Sequence, residues 1–245
     1  MSTVAADLPT ARDKASAMVI FMTESATVIH QLRLPLQQEA RLRAVDFVVS
    51  RSNHEAAQTL ADWPQEPGSI LALYGPAGSG KSHLAAAWVE RTGALALHGS
   101  EAGLVDPLEL EGRALMLDQA DEADEEALFH LFNLTQSGGG SLLMVSREPP
   151  AAWHCAVPDL RSRLNAVRTL SMFVPDDIVL SAMLKRAFAS RNIIPGDGVV
   201  DYLTKRIDRT PESIDRIVDK LDAYHRPVTR VLARQVLEGF VETYE

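Results

Sequence analysis

The chain has 245 residues, a formal net charge of −9 and a sequence pI near 5.3. Its hydrophobic content of 46% allows one sizeable core with a small appendage, while the acidic balance argues against a dedicated nucleic-acid surface, because phosphate contacts need clustered Lys and Arg. The single cysteine, Cys155, excludes an internal disulfide, and the seven histidines lack the paired spacing of a zinc site. No apolar run reaches the roughly 20 residues of a membrane span, so we expect a cytoplasmic protein without membrane contact.

Strand-like and helix-like segments alternate after a weakly patterned start. The first two dozen residues are small, polar and weakly patterned, and we predict a mobile arm over residues 1–37. Helical patterns follow Gly80, Asp121 and Val157, between short apolar runs. Five such runs are predicted to be strands: 70–74, 94–98, 114–118, 141–146 and 168–172. Apolar strands that alternate with helices predict an α/β domain over 38–174, with a mostly parallel sheet between two helical layers.

The last third of the chain changes character at Pro175. Strand signals disappear, and Pro-Gly, Thr-Pro and Arg-Pro pairs separate the helical patterns. The predicted helices lie near 176–191, 198–207, 211–224 and 228–244. We therefore predict a small all-helical lid domain over 175–245.

The most specific motif stands at a predicted strand-to-helix junction. The run Ile-Leu-Ala-Leu-Tyr leads directly into a G-x-x-x-x-G-K-[ST] sequence. Its members are Gly75, Pro76, Ala77, Gly78, Ser79, Gly80, Lys81 and Ser82. The glycines let backbone N–H groups curl around phosphates, Lys81 reaches the β and γ oxygens, and the Ser82 hydroxyl can ligate Mg²⁺. A glycine-rich turn without a ligand is the weaker alternative, because the strand before it and the helix after it both fit a phosphate loop.

Another apolar strand ends in the acid that this motif requires. Asp118 follows Leu-Met-Leu, where it would orient the water shell of Mg²⁺. ATPases of this type usually place a second acid next, but this chain has Gln119, whose neutral amide cannot accept a proton from the attacking water. We therefore expect slow unaided hydrolysis. The acidic cluster at 121–126 could replace the missing acid, or it could only be the dipole-favoured start of a helix.

These motifs resemble the DnaA/Hda family of AAA+ proteins over most of residues 30–243. The segment from Phe47 and Val48 to Asn53 is similar to the family's adenine pocket, and the run from Gly80 to His83 is similar to the end of its phosphate loop. The resemblance is closer to the short regulatory branch than to the initiators. It implies a five-stranded AAA+ sheet, a helical lid, and an adenine nucleotide between them that contacts Val48, Asn53 and His83.

The sequence Pro-Asp-Leu-Arg-Ser-Arg-Leu at 158–164 resembles the segment that carries the family's arginine finger. By that match Arg163 is the finger. Such a guanidinium stabilises charge that develops on the γ-phosphate bound by a neighbouring subunit. From the residues alone, Arg163 and Arg161 could equally be a solvated charge pair.

The family's sensor 2 arginine, which opens a lid helix and touches the phosphates, is replaced by Glu212. A carboxylate near a γ-phosphate would repel it, so we predict that ADP is favoured over ATP, unless Arg209 or Arg216 takes the arginine's role. The alternative is an ordinary helix start at 210–212, with a capping Thr, a Pro at the first position and an acid in the first turn.

Two further features differ from the family pattern. Ser146-Arg147 stands at the sensor 1 position, where a smaller polar or acidic residue is more familiar, so we transfer no role to it. The sequence ends at Glu245, soon after the last predicted helix, whereas DnaA-type initiators continue into a helix-turn-helix domain. We therefore expect no sequence-specific DNA binding.

Residues 31–36 resemble the hexapeptide by which replication proteins dock on the β sliding clamp. Gln31 would make an anchoring pair of hydrogen bonds, Leu32, Leu34 and Leu36 would present apolar groups, and Pro35 would stiffen the extended segment. Taken alone, the pattern is short enough to be a core-packing or edge-strand segment. Its position in the predicted arm favours the clamp.

The resemblance implies a negative regulator of replication initiation. In this interpretation, the nucleotide-bound protein docks on the β sliding clamp of DNA polymerase III, loaded on DNA, and promotes hydrolysis of DnaA-bound ATP through Arg163. Its own ADP would be a structural ligand, and its own ATPase would be weak at most. One alternative is a DNA-associated AAA+ ATPase of the helicase-loader or initiator type, and a less favoured one is a small-molecule kinase. The sequence leaves a homodimer possible.

Overall fold

The computed structural model describes residues 47–64 and 66–241. Five strands form the sheet within them: β1 (Ser69–Tyr74), β2 (Leu95–His98), β3 (Ala114–Asp118), β4 (Ser141–Ser146) and β5 (Arg168–Ser171). All are parallel, and their order across the sheet is β2-β3-β4-β1-β5. Each strand lies within one residue of its predicted boundaries. The predicted α/β class with a five-stranded parallel sheet is confirmed.

Helices follow the strands and then continue alone. They are α1 (His54–Asp62), α2 (Lys81–Thr92), α3 (Pro107–Leu110), α4 (Glu125–Gly138), α5 (Pro158–Ala166), α6 (Asp177–Ser190), α7 (Val199–Thr204), α8 (Pro211–Asp222) and α9 (Arg230–Val241). The helix predicted after Asp121 begins only at Glu125, because the Asp124 carboxylate caps it by accepting from Glu126 N and Ala127 N at 3.1 and 3.2 Å. No helix in the described part of the chain is long and apolar enough to cross a membrane.

The sheet is buried on both faces, and strand residues alternate between them. In β4, Leu142 and Met144 pack with residues of α4 and α5, whereas Leu143 and Val145 pack with residues of α1 and α2. This alternation follows from the two-residue period of a strand. All six residues of β4 are buried, which explains why its sequence is almost continuously apolar. The central strands thus form a fixed support for the loops at their carboxyl ends.

Helices α6–α9 surround an apolar core of their own. Its largest buried members come from all four helices: Leu180, Leu184, Phe188, Leu203, Ile214, Ile217, Leu221 and Leu232. The helical character predicted after Pro175 is therefore correct. The domain boundaries proposed at 37/38 and 174/175 stay predictions.

Candidate functional site

The glycine-rich loop lies at the carboxyl edge of the sheet, directly after β1. From β1 the chain crosses to β2 at one edge of the sheet, whereas from β4 it crosses to β5 at the other edge. The connections that leave the neighbouring strands β1 and β4 therefore run in opposite directions. Such a reversal opens a crevice at the carboxyl ends of the two strands, where α/β proteins bind ligands. Tyr74 pairs with Ser146, so the next residues, Gly75 and Arg147, lie on either side of this crevice.

Two glycines are required by the backbone of the loop. Gly75 has a φ of 152°, and a Cβ at this position would lie 2.3 Å from the carbonyl oxygen of Met172. Gly78 has a φ of 74°, and its Cβ would lie 2.4 Å from Cδ of Pro211. The loop is therefore packed between the end of β5 and the start of α8, with no space for a side chain at either glycine.

Gly75→Ala is expected to destabilise the protein by about 2–5 kcal/mol, because it adds a clash with backbone to an unfavourable φ. Gly93→Ala is a matched control, since Gly93 also has a positive φ, 67°, but a Cβ there would meet nothing within 4 Å. We expect this control to cost only about 1–2 kcal/mol. Urea unfolding followed by circular dichroism measures both, and equal costs would contradict the tight fit at Gly75.

Lys81 occupies the inside of the loop. It is buried at the first position of α2, and its Nζ donates to the carbonyl oxygens of Gly75 and Pro76 at 2.7 and 2.8 Å. Burial lowers the pKa of Lys81, the charge of Asp118 opposes this, and the charge of Arg147 lowers the pKa further. The ammonium group is thus held by carbonyl oxygens at the point where the loop would enclose an anion.

The residues of the loop fit a phosphate group. Helix α2 begins directly behind it, and its N-terminus presents free N–H groups and the positive end of the helix dipole. The first turn, 81–84, has no acid to repel an anion. Ser82 is exposed, so its hydroxyl is accessible to Mg²⁺. The described residues contain no cluster of three or more His, Cys, Asp or Glu for a metal, but Mg²⁺ beside phosphate usually keeps several waters and needs few protein ligands.

Asp118 ends β3 at the same edge of the sheet. Its Oδ1 accepts a hydrogen bond of 2.9 Å from the backbone N–H of Gln119, the residue that turns the chain with a φ of 49°. Gln119 is exposed. In the acidic cluster that follows, Asp121 lies close enough to raise the pKa of Lys81, as Asp118 does. The structure therefore groups Lys81, Asp118 and Asp121, while the metal role of Asp118 stays a prediction.

The segment that resembles an adenine pocket is fixed beside α2. The Asn53 side chain is only 3% exposed; it accepts from the backbone N–H of Ser50 at 2.8 Å and donates to the carbonyl oxygen of Val48 at 2.9 Å. The Phe47 and His83 rings meet edge to face, with centroids 5.3 Å apart. Asn53 therefore shapes the segment through its own hydrogen bonds, and contacts from Val48, Asn53 and His83 to a nucleotide stay predictions.

Asp176 joins this segment to the helical region. Its carboxylate caps α6 by accepting from the backbone N–H groups of Ile178 and Val179, both at 3.1 Å, and it also accepts hydrogen bonds from Ser50 and Ser52. Burial alone would raise the pKa of Asp176, but these hydrogen bonds lower it overall. One carboxylate therefore links the segment before α1 to the first helix after the sheet.

Helix α8 begins against the glycine-rich loop. Pro211, its first residue, is the neighbour that leaves Gly78 no space for a Cβ. Thr210 caps the helix by accepting from Ser213 N at 3.2 Å, so the ordinary helix start is present. Glu212 follows Pro211 and is exposed. Arg209 is engaged elsewhere, with the Pro175 carbonyl oxygen at 2.9 Å and with the Asp177 carboxylate, so it does not take the sensor 2 role in this arrangement.

Arg163 lies on α5 and is held by its own chain. Its Nε donates to Asp159 at 3.1 Å, one terminal nitrogen donates to Asn133 Oδ1 at 2.7 Å, and the guanidinium lies 4.9 Å from the centroid of the Phe129 ring. Arg161 points to different partners and donates to the Trp153 carbonyl oxygen at 2.7 Å. The two arginines are therefore not a solvated pair, and action of Arg163 on another subunit stays a prediction.

Glu125 closes the loop that precedes α5. Its two carboxylate oxygens accept from Ala156 N at 2.8 and 3.0 Å, and one also accepts from Val157 N at 3.0 Å. These hydrogen bonds, that from Ala156 above all, lower the pKa of Glu125. Glu125 therefore has a structural role within the acidic cluster, in which it fixes the N-terminal end of the helix that carries Arg163.

Because the pKa of Glu125 is lowered by folding, its contribution to stability is full above the ordinary glutamate pKa and is lost as pH falls through the lower folded-state value. We therefore expect Glu125→Gln to be less stable than the wild type near pH 7, with a gap that narrows below about pH 4. Urea unfolding from pH 7 to pH 3 measures the gap. Glu122→Gln, an exposed change in the same cluster, is the control, and a gap that does not depend on pH would contradict the assignment.

The five candidate clamp-binding residues lie outside the described residues, as does all of the predicted arm at 1–37. They are Gln31, Leu32, Leu34, Pro35 and Leu36. Their role stays a prediction.

No protein-family model matches the chain. Among curated proteins, it is 25% identical over 233 residues to the replication initiator DnaA of Herpetosiphon aurantiacus, a match that covers 80% of this chain and 48% of the relative. It is 27% identical over 225 residues to DnaA of Thermomicrobium roseum, which covers 78% of this chain and 48% of the relative. The chain thus spans about half the length of the curated relatives it matches.

Solved structures share the fold. Domain III of Thermotoga maritima DnaA superposes with a TM-score of 0.67 at 18% identity, covering 81% of this chain and 96% of that one. AMPPCP-bound DnaA from Aquifex aeolicus has a TM-score of 0.60 at 17% sequence identity, and the match covers 74% of this chain and 65% of that one. A RuvB mutant from Thermotoga maritima has a TM-score of 0.59 at 17% sequence identity, and the match covers 79% of this chain and 71% of that one. The chain therefore has an AAA+ fold, and sequence similarity over about four fifths of its length relates it to the DnaA proteins.

Proposed function

We propose that this protein binds an adenine nucleotide at the glycine-rich loop and, in that form, promotes hydrolysis of ATP bound to DnaA. The observation that carries the first part is the placement of Lys81 inside the loop, at the reversal of the sheet, with Asp118 near it. The relation to DnaA supports the choice of adenine, since the Aquifex aeolicus DnaA structure holds an adenosine triphosphate analogue.

Each part of the site has a role in this proposal. Residues 75–82 hold the phosphates with backbone N–H groups, and Lys81 neutralises them. Ser82 and Asp118 hold Mg²⁺ directly or through its waters. The base lies against the segment containing Val48 and Asn53. A ligand stabilises the conformation that it binds best. A bound nucleotide would therefore favour one relative position of the glycine-rich loop, the segment containing Val48 and Asn53, and α8.

A regulatory function fits the site better than a vigorous ATPase. Gln119 cannot act as a base, and Glu212 places a carboxylate in the first turn of α8, next to the residue that packs on Gly78. We propose that ADP is the favoured resident ligand and that intrinsic hydrolysis is slow. The chemistry on DnaA then depends on Arg163, which lies on α5 and is hydrogen-bonded to Asn133 of α4.

The direct test is ATP hydrolysis by DnaA in the presence of this protein, ADP and clamp loaded on DNA. Removal of residues 1–37 should abolish the stimulation and clamp binding, because Gln31 to Leu36 would be lost, while ADP affinity should stay unchanged. Surface plasmon resonance on immobilised clamp and calorimetry with ADP measure the two affinities. A truncated protein that still binds the clamp would discard the motif.

One observation favours a second candidate, a DNA-associated AAA+ ATPase. Asp121 is exposed three residues after Asp118, and its charge raises the pKa of Lys81, so it is the candidate for the acid that Gln119 does not supply. This candidate would be favoured if the purified chain hydrolyses ATP, if DNA stimulates that hydrolysis, and if Asp121→Asn abolishes it. The absence of such hydrolysis, together with stimulation of DnaA, would favour the regulator.

A further inference from the structure

Two arginines share the ring of Tyr202 on the surface formed by α7 and α9. The guanidinium carbon of Arg206, which follows α7, lies 4.0 Å from the centroid of this ring, and that of Arg230, the first residue of α9, lies 5.7 Å from it. Arg206 also donates to the carbonyl oxygen of Tyr202 at 3.2 Å. The side chain of Arg230 crosses Gly198, where a Cβ would lie 3.3 Å from the arginine Cδ. These contacts with an aromatic face and with backbone fix the directions of both guanidinium groups.

A third arginine is held against α9 from the loop that precedes it. The guanidinium carbon of Arg226 lies 5.1 Å from the centroid of the Tyr224 ring, and a terminal nitrogen donates to Gln235 of α9 at 3.3 Å. Tyr224 is 53% exposed, and the side chains of Arg206, Arg226 and Arg230 are all exposed. We call the surface made by these three arginines and the two tyrosines the α7–α9 surface.

The arginines of the α7–α9 surface are not neutralised by their own chain. None of the three forms an ion pair with a carboxylate of the described residues. Three other arginines of the helical region do form such pairs: Arg191 with Asp215 and Asp219, Arg209 with Asp177, and Arg234 with Glu238. Like charges without counter-ions repel one another, so an anion bound to the α7–α9 surface would be stabilising. The chain as a whole has a net charge of −9, so this concentration of cations is local.

The start of α9 adds to the positive charge. A helix N-terminus carries the positive end of the helix dipole and therefore favours acids in its first turn. Helix α9 has no acid in its first turn and begins with Arg230 instead. The dipole of α9 and the three guanidinium groups thus act in the same direction, toward attraction of an anion.

A row of phosphates fits this surface better than a single small anion does. The three arginines come from different positions in the chain and are exposed, so together they form an open surface. Duplex DNA carries one negative charge per about 1.7 Å of its axis, so it can offer a phosphate to each arginine. The planar guanidinium also matches phosphate geometry, because it can donate two parallel hydrogen bonds. Charge and chemistry therefore favour the backbone of DNA as the partner.

We propose that Arg206, Arg226 and Arg230 bind the phosphate backbone of duplex DNA independently of its sequence. Contacts to phosphate carry no base information, so this binding differs from the sequence-specific binding that we do not expect. The inference goes beyond the proposed function, which assigns no residue to DNA, and it does not depend on the nucleotide site. A protein docked on clamp that is loaded on DNA would then be held at two points, and two linked contacts bind more tightly than either alone.

The experiment is fluorescence anisotropy of the full-length protein with a labelled DNA duplex of mixed sequence, without nucleotide, clamp or DnaA, at several salt concentrations. The wild type should bind the duplex, and its affinity should fall as salt rises. Arg206→Ala combined with Arg230→Ala should weaken binding about tenfold or more, and should make the slope of log affinity against log salt concentration shallower by about two. Arg206→Lys combined with Arg230→Lys should keep more affinity than the alanine pair, because it keeps both charges.

Arg113→Ala combined with Arg168→Ala is the matched control. Arg113 directly precedes β3 and Arg168 begins β5; both are exposed, and their loss changes the net charge by the same amount. Circular dichroism during urea unfolding checks that both double variants are folded. Equal weakening of DNA binding in the control, or a wild type that does not bind the duplex at low salt, would overturn the inference.

Two further measurements separate this inference from other interpretations. Binding of the wild type to phosphatidylglycerol vesicles but not to DNA would assign the α7–α9 surface to a membrane, which would also overturn the inference. Calorimetry with ADP tests the nucleotide site by itself, since none of the three arginines lies in the glycine-rich loop. A protein that binds the duplex through these arginines but does not bind ADP would refute the proposed function alone.

Discussion

Replacing Lys81 with alanine is expected to lower the affinity for ADP about 100-fold or more. A hydrogen bond to a charged group contributes about 1.5–3 kcal/mol, and the Lys81 ammonium can make more than one such bond to phosphate oxygens. The group is already placed for this, because the carbonyl oxygens of Gly75 and Pro76 hold it inside the loop at 2.7 and 2.8 Å. Calorimetry with ADP at one fixed salt concentration measures the loss.

The same substitution leaves two loop carbonyl groups without their donor, so part of any loss could come from a disturbed loop. Lys81→Arg separates the effects, because it keeps the charge and the donors but not the shape of the ammonium group. Lys185→Ala removes an exposed lysine from α6 and is the control for net charge. An ADP affinity within threefold of the wild type in Lys81→Ala, with a normal unfolding transition, would refute the assignment of this loop to phosphate.

The sheet could be predicted from sequence because its strands are buried on both faces. Leu71, Ala72 and Leu73 of β1 are fully buried, so the strand had to be apolar at consecutive positions and stands out from its polar surroundings. The glycine-rich loop was equally visible, because Gly75 and Gly78 are constrained by their own backbone and by close neighbours. Both patterns are local in the sequence, and the structure has the strand and the loop at the predicted positions.

Helix α1 was missed because its signal is short and lies next to a stronger one. Ala56, Leu60 and Trp63 are buried at intervals of four and three residues, which is a helical period. The similarity of this segment to an adenine pocket does not itself predict a helix. The apolar spacing, read separately, would have found the helix.

The hydrogen bonds of Asp176 and the position of Arg147 could not be predicted, since they depend on elements far apart in the chain. Asp176 lies at the start of the helix predicted near 176–191, but its hydrogen bonds with Ser50 and Ser52 span more than 120 residues of sequence. Arg147 follows β4 at the same edge of the sheet as the loop only because β4 is the neighbour of β1. Strand order is a tertiary property, and no local pattern around Arg147 reveals which loop it faces.

The two ends of α4 connect these elements to the predicted finger. At the start of the helix, Glu125 holds the loop before α5, and one turn from its end Asn133 and Gln136 accept hydrogen bonds from Arg163. The helix packs on the sheet face that contains Leu115 and Leu117 of β3. A displacement of α4 would therefore also move the hydrogen-bond partners of Arg163.

Arg163→Ala is expected to reduce the stimulation of DnaA-bound ATP hydrolysis about 1000-fold, the lower end of the effect of an arginine finger supplied in trans. The reason is that no other group of this protein is proposed to place a positive charge next to the transition state on DnaA. The measurement is single-turnover hydrolysis of ATP bound to DnaA, with this protein, ADP and DNA-loaded clamp. Binding of ADP to the variant should be unchanged, because the side chain of Arg163 is hydrogen-bonded to α4 and to its own helix, away from the glycine-rich loop.

Asn133→Ala separates a finger from a structural arginine. It removes the shortest hydrogen bond of Arg163, 2.7 Å, but keeps the guanidinium. If Arg163 acts on DnaA, this variant should retain stimulation within about tenfold of the wild type, and its loss of stability should be comparable to that of Arg163→Ala, about 1–2 kcal/mol. If Arg163 only joins α5 to α4, both variants should lose stimulation in proportion to their unfolded fraction. Equal, small losses of stimulation in the two variants would therefore assign Arg163 to the core of its own chain and leave the regulator without its finger.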